Sequence, residues 1–169
     1  GQRLGRRGRC PGVAADGVTG DGCGLLLRRP DVFLKALAAE AGLTLGARFA
    51  AGVVFLPHDP TDAQACRDTL EQQLRDAGCQ PVGWRVVPTD PSVCGQLARD
   101  TLPHIEQVFV DAGATQDEAA FTLALFLARR RSEQQLRDHA DYYVTTLSPN
   151  AISYKGMVLP DKLSSFYVD

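Results

Sequence analysis

Arg6-Arg7-Gly8, then Thr19-Gly20-Asp21-Gly22-Cys23-Gly24, then Leu25-Leu26-Leu27: here a glycine turn feeds directly into an apolar run. Glycines at alternate positions let the backbone take positive φ or approach another group closely, and an Asp between them bonds neighbouring amides. The leucines read as a short buried strand bounded by Arg28-Arg29-Pro30. The turn is neither a dinucleotide fingerprint nor a phosphate loop, since no Lys-Ser/Thr pair closes it and no helix-period segment follows. A phosphate-binding module is therefore the poorer reading, with no helix amino terminus aimed at the turn.

Working outward, Asp31 is placed to cap a helix with Phe33, Leu34, Leu37, Ala38 and Ala41 at three- and four-residue spacing, stopped by Gly42. The continuous apolar run Ala50 to Leu56, ended by Pro57, predicts a strand covered on both faces. Thr61 and Gln64 suggest a capping box ahead of a stripe of Cys66, Leu70, Leu74 and Ala77, which Gly78 ends. Val82, Trp84 and Val86 alternate as a strand, completing a strand, helix, strand unit with a helix layer on a sheet. Asp90-Pro91-Ser92 opens a turn or short helix running through Asp100, and Pro103 resets the chain for a strand at Ile105 to Val110. Gln116 to Arg137 is the longest expected helix, with Arg129-Arg130-Arg131 toward solvent. Tyr142 to Leu147 and Ala151 to Tyr154 read as strands paired through the turn Ser148-Pro149-Asn150, and Leu159 to Tyr167 as a short helix.

The 169 residues suffice for one ordinary domain with a real core, and the apolar fraction of 44% is that of a globular protein. A net charge of −2 provides no field for nucleic acid or an anionic membrane, and Arg3, Arg6, Arg7 and Arg9 carry no interleaved aromatics. No apolar run approaches the roughly twenty residues a membrane span needs, and no signal-peptide core is present, so a cytoplasmic protein is expected. Cys10, Cys23, Cys66, Cys79 and Cys94 are odd in number and without a C-x-x-C pair, against a disulfide framework or zinc site. They read as small buried hydrophobes, and His58, His104 and His139 as surface or turn residues.

Taken in order, Arg7-Gly8, Thr19-Gly20-Asp21-Gly22-x-Gly24, Val53-Val54-Phe55-Leu56-Pro57, Gly83-Trp84-Arg85-Val86-Val87-Pro88, Asp90-x-Ser92-Val93-x-Gly95, Ala98-Arg99, Pro103-x-Ile105-x-Gln107-Val108-Phe109 and Ser148-x-x-x-Ile152-x-Tyr154-Lys155-Gly156-Met157 form a collinear set. It resembles the amino-terminal glutaminase domain, a class II glutamine amidotransferase, of the glutamate synthase large subunit. The resemblance implies that residues 1–169 are a partial domain of this kind. Its expected fold is α/β (α+β), an N-terminal-nucleophile hydrolase-like αββα four-layer sandwich, here incomplete.

In that family the first residue of the mature chain is a Cys whose α-amine, with a pKa of about 8, serves as base to its own thiol. The thiolate attacks the side-chain amide of glutamine, ammonia leaves, and water resolves the thioester. Position 1 here is Gly, with no initiator Met, and the chain stops before the family's His-Ser-Arg and Asn-Gly segments. Such segments on either side would restore the enzyme, and no catalytic residue is assigned within this chain. Cys10 is a poor substitute, because Cys10 to Thr19 has no room for a preceding strand and helix and Pro11 restricts it.

What the resemblance leaves here is supporting structure: Arg7 to anchor the nucleophile's loop, and Asp21 and Gly22 to line the pocket floor. The purely structural alternative has Arg7 paired with a local acid and Asp21 capping its own turn. No cofactor is expected in this segment; the parent enzyme would carry FMN and an iron-sulfur cluster in other domains. Implied partners are glutamine, the remaining synthase domains or a small subunit, and a second copy through unpaired strands. The rival functional reading is a non-catalytic scaffold or regulatory partner derived from such a domain.

Overall fold

Phe49–Leu56 forms β2, on which the larger sheet is built. In the computed structural model, which describes residues 12, 17, 19–115 and 117–169, all of β2 is buried except the half-buried Phe55. Around it lie β3 (Gln80–Val86), β4 (His104–Asp111) and β5 (Tyr143–Ser148), in the order β3-β4-β2-β5 with every neighbouring pair antiparallel. β2 runs against β4 from Phe49 opposite Asp111 to Leu56 opposite His104.

Alternation along β2 sends Ala50, Val54 and Leu56 to one face, where they join Val108, Val110 and Val144 in the main core. Two helices cover this face. α2 (Pro60–Asp76) contributes Cys66, Leu70 and Leu74, and α4 (Glu118–Gln135) contributes Phe121, Leu125 and Ala128. Trp84 of β3 packs at the margin, its indole N–H donating to Glu71 of α2 at 2.8 Å.

The opposite face is covered as well, since Phe49, Ala51, Val53, Gln107 and Phe109 are also buried. Arg29 lies 4.2 Å and Lys35 of α1 (Asp31–Glu40) 5.7 Å over the Phe49 ring. Tyr154 of β6 (Ala151–Gly156) reaches Gln107 on the same face. β6 pairs with β1 (Cys23–Arg28) in a separate two-stranded sheet. Helix layer, antiparallel sheet and further strands follow the layered order expected from the sequence.

Contacts group the chain into two units. One comprises Leu25–Pro88, Leu102–Tyr154 and Asp169, and holds the four-stranded sheet with α1, α2 and α4. The other is drawn from Gly1–Gly24, Thr89–Thr101 and Lys155–Val168, and holds a 3-10 turn at Pro91–Val93, α3 (Gln96–Asp100) and α5 (Leu163–Phe166). Within this second unit the Asp90 amide donates to the Phe166 carbonyl at 2.8 Å, Thr89 bridges to Tyr167, and the Tyr167 hydroxyl donates to the Lys155 carbonyl at 2.6 Å.

β2, β3, β4, α1 and the stripe of α2 form as their patterns predict, and Gly42 and Gly78, both with positive φ, follow the ends of α1 and α2. Four expectations are corrected. Leu25 to Leu27 do form a strand, but an exposed one, with Leu26 70% accessible, because β6 is the only strand paired to β1 among the described residues. α2 starts at Pro60, not after Thr61: Asp59 accepts from the Thr61 and Asp62 amides at 2.8 and 3.1 Å, and Pro60 suits the first helical position. Asp31 is not the cap of α1 but sits in its first turn, held by Arg29 at 2.7 Å.

The fourth correction concerns β5 and β6, which flank the turn at Ser148 yet belong to different sheets. Side chains join them instead of a ladder. The Thr145 hydroxyl lies 3.0 Å from the Val53 carbonyl and 2.9 Å from the Ser153 carbonyl, and Thr146 Oγ1 accepts from the Ser153 amide at 3.0 Å.

Candidate functional site

The glycine turn is fixed by what passes behind it. A Cβ on Gly20 would stand 2.6 Å from the Val158 carbonyl oxygen, so the backbone of the turn lies directly on the chain following Gly156-Met157. Two stretches that are far apart in sequence, the turn and the end of Tyr154-Lys155-Gly156-Met157, thereby become neighbours. Thr19 is fully buried beneath the turn, while Asp21 and Gly22 are exposed. The Asp21 amide donates to the Gly12 carbonyl at 3.0 Å and its Oδ2 accepts from the Gly12 amide at 3.1 Å. Gly22 has φ +114°, a conformation open to glycine and costly for other residues.

Of the candidate residues, the structure thus places Asp21 and Gly22 side by side on the open side of the turn. Arg7 lies outside the described residues, as do Cys10 and the other arginines of the first segment. The Asp21 carboxylate is thus engaged with the amide of Gly12, nine residues upstream. In the same unit Asp90 caps the 3-10 turn by accepting from the Ser92 amide at 2.9 Å. Its bonds from the Ser92 side chain and backbone hold its carboxyl below the usual range. Arg99 donates to the Cys94 carbonyl at 3.0 Å.

The described thiols, Cys23, Cys66, Cys79 and Cys94, are free, and burial pushes each of them up, to about 11 for Cys66 and Cys79. Such thiols stay protonated near neutral pH and are poor nucleophiles. Among the described residues no three His, Cys, Asp or Glu side chains cluster to hold a metal ion, and no helix is long and apolar enough to cross a membrane.

A second polar constellation escaped the sequence reading. Arg85 of β3 stands opposite Gln107 of β4, and its Nε donates to the Gln107 carboxamide oxygen at 2.7 Å. Its other nitrogens grip both carboxylate oxygens of Asp169, with side chains only 10% and 12% accessible. Gln107 also interacts with the Tyr154 hydroxyl, which burial pushes up. The available signal was Arg85 between Trp84 and Val86, a charge on the second face of a strand whose other neighbours are apolar.

The model of the family described as "Glutamine amidotransferases class-II" matches residues 2–169. The chain is 38% identical over 161 residues to the glutamate synthase [NADPH] large chain of Azospirillum brasilense, a match covering 93% of this chain and 11% of that protein. It is 30% identical over 160 residues to the corresponding large chain of Bacillus subtilis, covering 94% and 10%. It is 33% identical over 163 residues to ferredoxin-dependent glutamate synthase 1 of Arabidopsis thaliana, again covering 94% and 10%. The chain therefore spans about a tenth of the length of these relatives. A family match over nearly its whole length, on a framework of helices and antiparallel sheets, establishes that this chain belongs to the class-II glutamine amidotransferases.

Proposed function

We propose that the chain is the framework of a glutaminase domain of the glutamate synthase type, whose parent hydrolyses glutamine to glutamate and ammonia for glutamate formation from 2-oxoglutarate. The observation that carries this reading is the seating of the glycine turn on Val158, immediately after Tyr154-Lys155-Gly156-Met157, in a chain matched by the family model from residue 2 to residue 169. Asp21 and Gly22 line the floor of the glutamine pocket, and Arg7 anchors the loop of the attacking cysteine. FMN, an iron-sulfur cluster and any small subunit belong to the rest of the parent.

By itself the chain does not turn glutamine over. The raised thiols of Cys23, Cys66, Cys79 and Cys94 support this, since none is poised to attack an amide. Ammonia release from glutamine, measured on this chain and on the full polypeptide that contains it, tests both statements. Turnover by the full polypeptide alone is expected. Robust turnover by this chain overturns the inactivity, and none from the full polypeptide overturns the glutaminase reading.

One observation favours the rival, a non-catalytic scaffold or regulatory partner: β1 displays Leu25, Leu26 and Leu27 at 47%, 70% and 37% accessibility, a surface suited to another chain. Stable co-purification with a synthase subunit, together with an inactive full polypeptide, is the outcome that reading requires.

A further inference from the structure

α4 buries one side and leaves an apolar seam on the other. Phe121, Leu125 and Ala128 enter the core, whereas Ala119, Leu123, Phe126 and Arg130 are exposed, Leu123 and Phe126 at 56% each. The spacing of these four, four then three then four residues, is that of a helix-packing seam, and it lies on the side away from the core. At the helix start stands Glu118 and toward its end Arg130, whose side chain is 65% accessible and is paired along the helix with Glu133 at 2.9 Å, leaving its outer nitrogens to solvent-side partners.

We propose that this seam is a self-association surface on which α4 packs antiparallel against α4 of a second copy. The sequence of the seam is complementary to itself under a twofold axis between Leu123 and Phe126. Leu123 then meets the partner's Phe126, Ala119 leaves room for the partner's Arg130, and Glu118 runs alongside that same guanidinium. A parallel pairing would set Glu118 against the partner's Glu118 and Arg130 against the partner's Arg130, so charge selects the antiparallel arrangement. One helix pair buries less than the roughly 1,200 Å² of a standard interface, so the dimer is weak, on the order of micromolar or looser. The inference does not depend on the glutaminase reading, because it uses no residue of the glycine turn.

Sedimentation equilibrium of the 169-residue chain, from low micromolar to near-millimolar concentration, is the test. Reversible dimerisation is expected, weakened at least about tenfold by Leu123→Glu or Phe126→Glu. Leu26→Lys, on β1, is expected to leave it unchanged. Glu118→Arg weakens the dimer, and Glu118→Arg combined with Arg130→Glu restores it, a recovery that loss of folding cannot mimic. A monomer at every concentration overturns the proposal, as does dimerisation abolished by Leu26→Lys, indifferent to the seam variants, or unrescued by the double reversal.

Discussion

At Gly20 the smallest possible side chain is already too large. The obstacle 2.6 Å away is a backbone carbonyl, which cannot rotate aside, so Gly20→Ala must shift either the turn or the chain at Val158. A loss of about 1–3 kcal/mol is expected, read as a lower midpoint in urea unfolding. Arg85 poses a different problem. Its pair with Asp169 is nearly dry, and Arg85→Met would leave that carboxylate buried opposite an apolar group. The cost should be about 3–5 kcal/mol, and Arg85→Met together with Asp169→Leu should recover part of it, since two well-packed apolar groups leave no lone charge. A near-neutral single variant in the same urea titration would show that water reaches the pair.

Among the elements, those whose signal is local were legible. β2 announced itself by an unbroken apolar run and α2 by a stripe at helical spacing, because either pattern requires only neighbours along the chain. What depended on distant partners was not. Three leucines look the same whether or not a layer covers them, so the exposure of β1 was invisible, and so was the contact of Gly20 with Val158. The turn at Ser148 correctly marked a reversal but could not say that the two strands part into separate sheets, which is settled by the carbonyls that Thr145 finds. The glycine turn was readable as a turn from its composition, and only the resemblance gave it a role; the Arg85, Gln107 and Asp169 network was not readable, since alternation reveals a face without its occupants. Thr145→Val keeps the shape of the side chain and removes the hydroxyl, so the junction of β5 and β6 should weaken by about 1–2 kcal/mol while β2 and β4 remain intact. Amide exchange localised to residues 143–156 checks it, and uniform acceleration across the whole sheet would contradict it.

For the molecule as a whole, buried thiols tie stability to alkaline pH. Cys66 and Cys79 ionise near 11 in the folded chain against 9.0 ordinarily, so above pH 9 the unfolded chain holds fewer protons than the folded one. Their contribution is complete below about pH 9 and is lost as pH rises to about 11, on the order of 1–3 kcal/mol for each thiol. Urea midpoints across that window should fall, and Cys66→Ala with Cys79→Ala should flatten the decline; an unchanged slope would assign it to other groups.

The pairing of β1 with β6 sets a timetable for synthesis. β1 ends at Arg28 and β6 starts at Ala151, so a ribosome adding roughly 5–20 residues per second completes the second strand about 6–25 s after the first. For that interval the three leucines stand at or beyond the tunnel mouth with no strand beside them, which makes nascent-chain holdases their natural custodians and slow codons between the two strands a hazard.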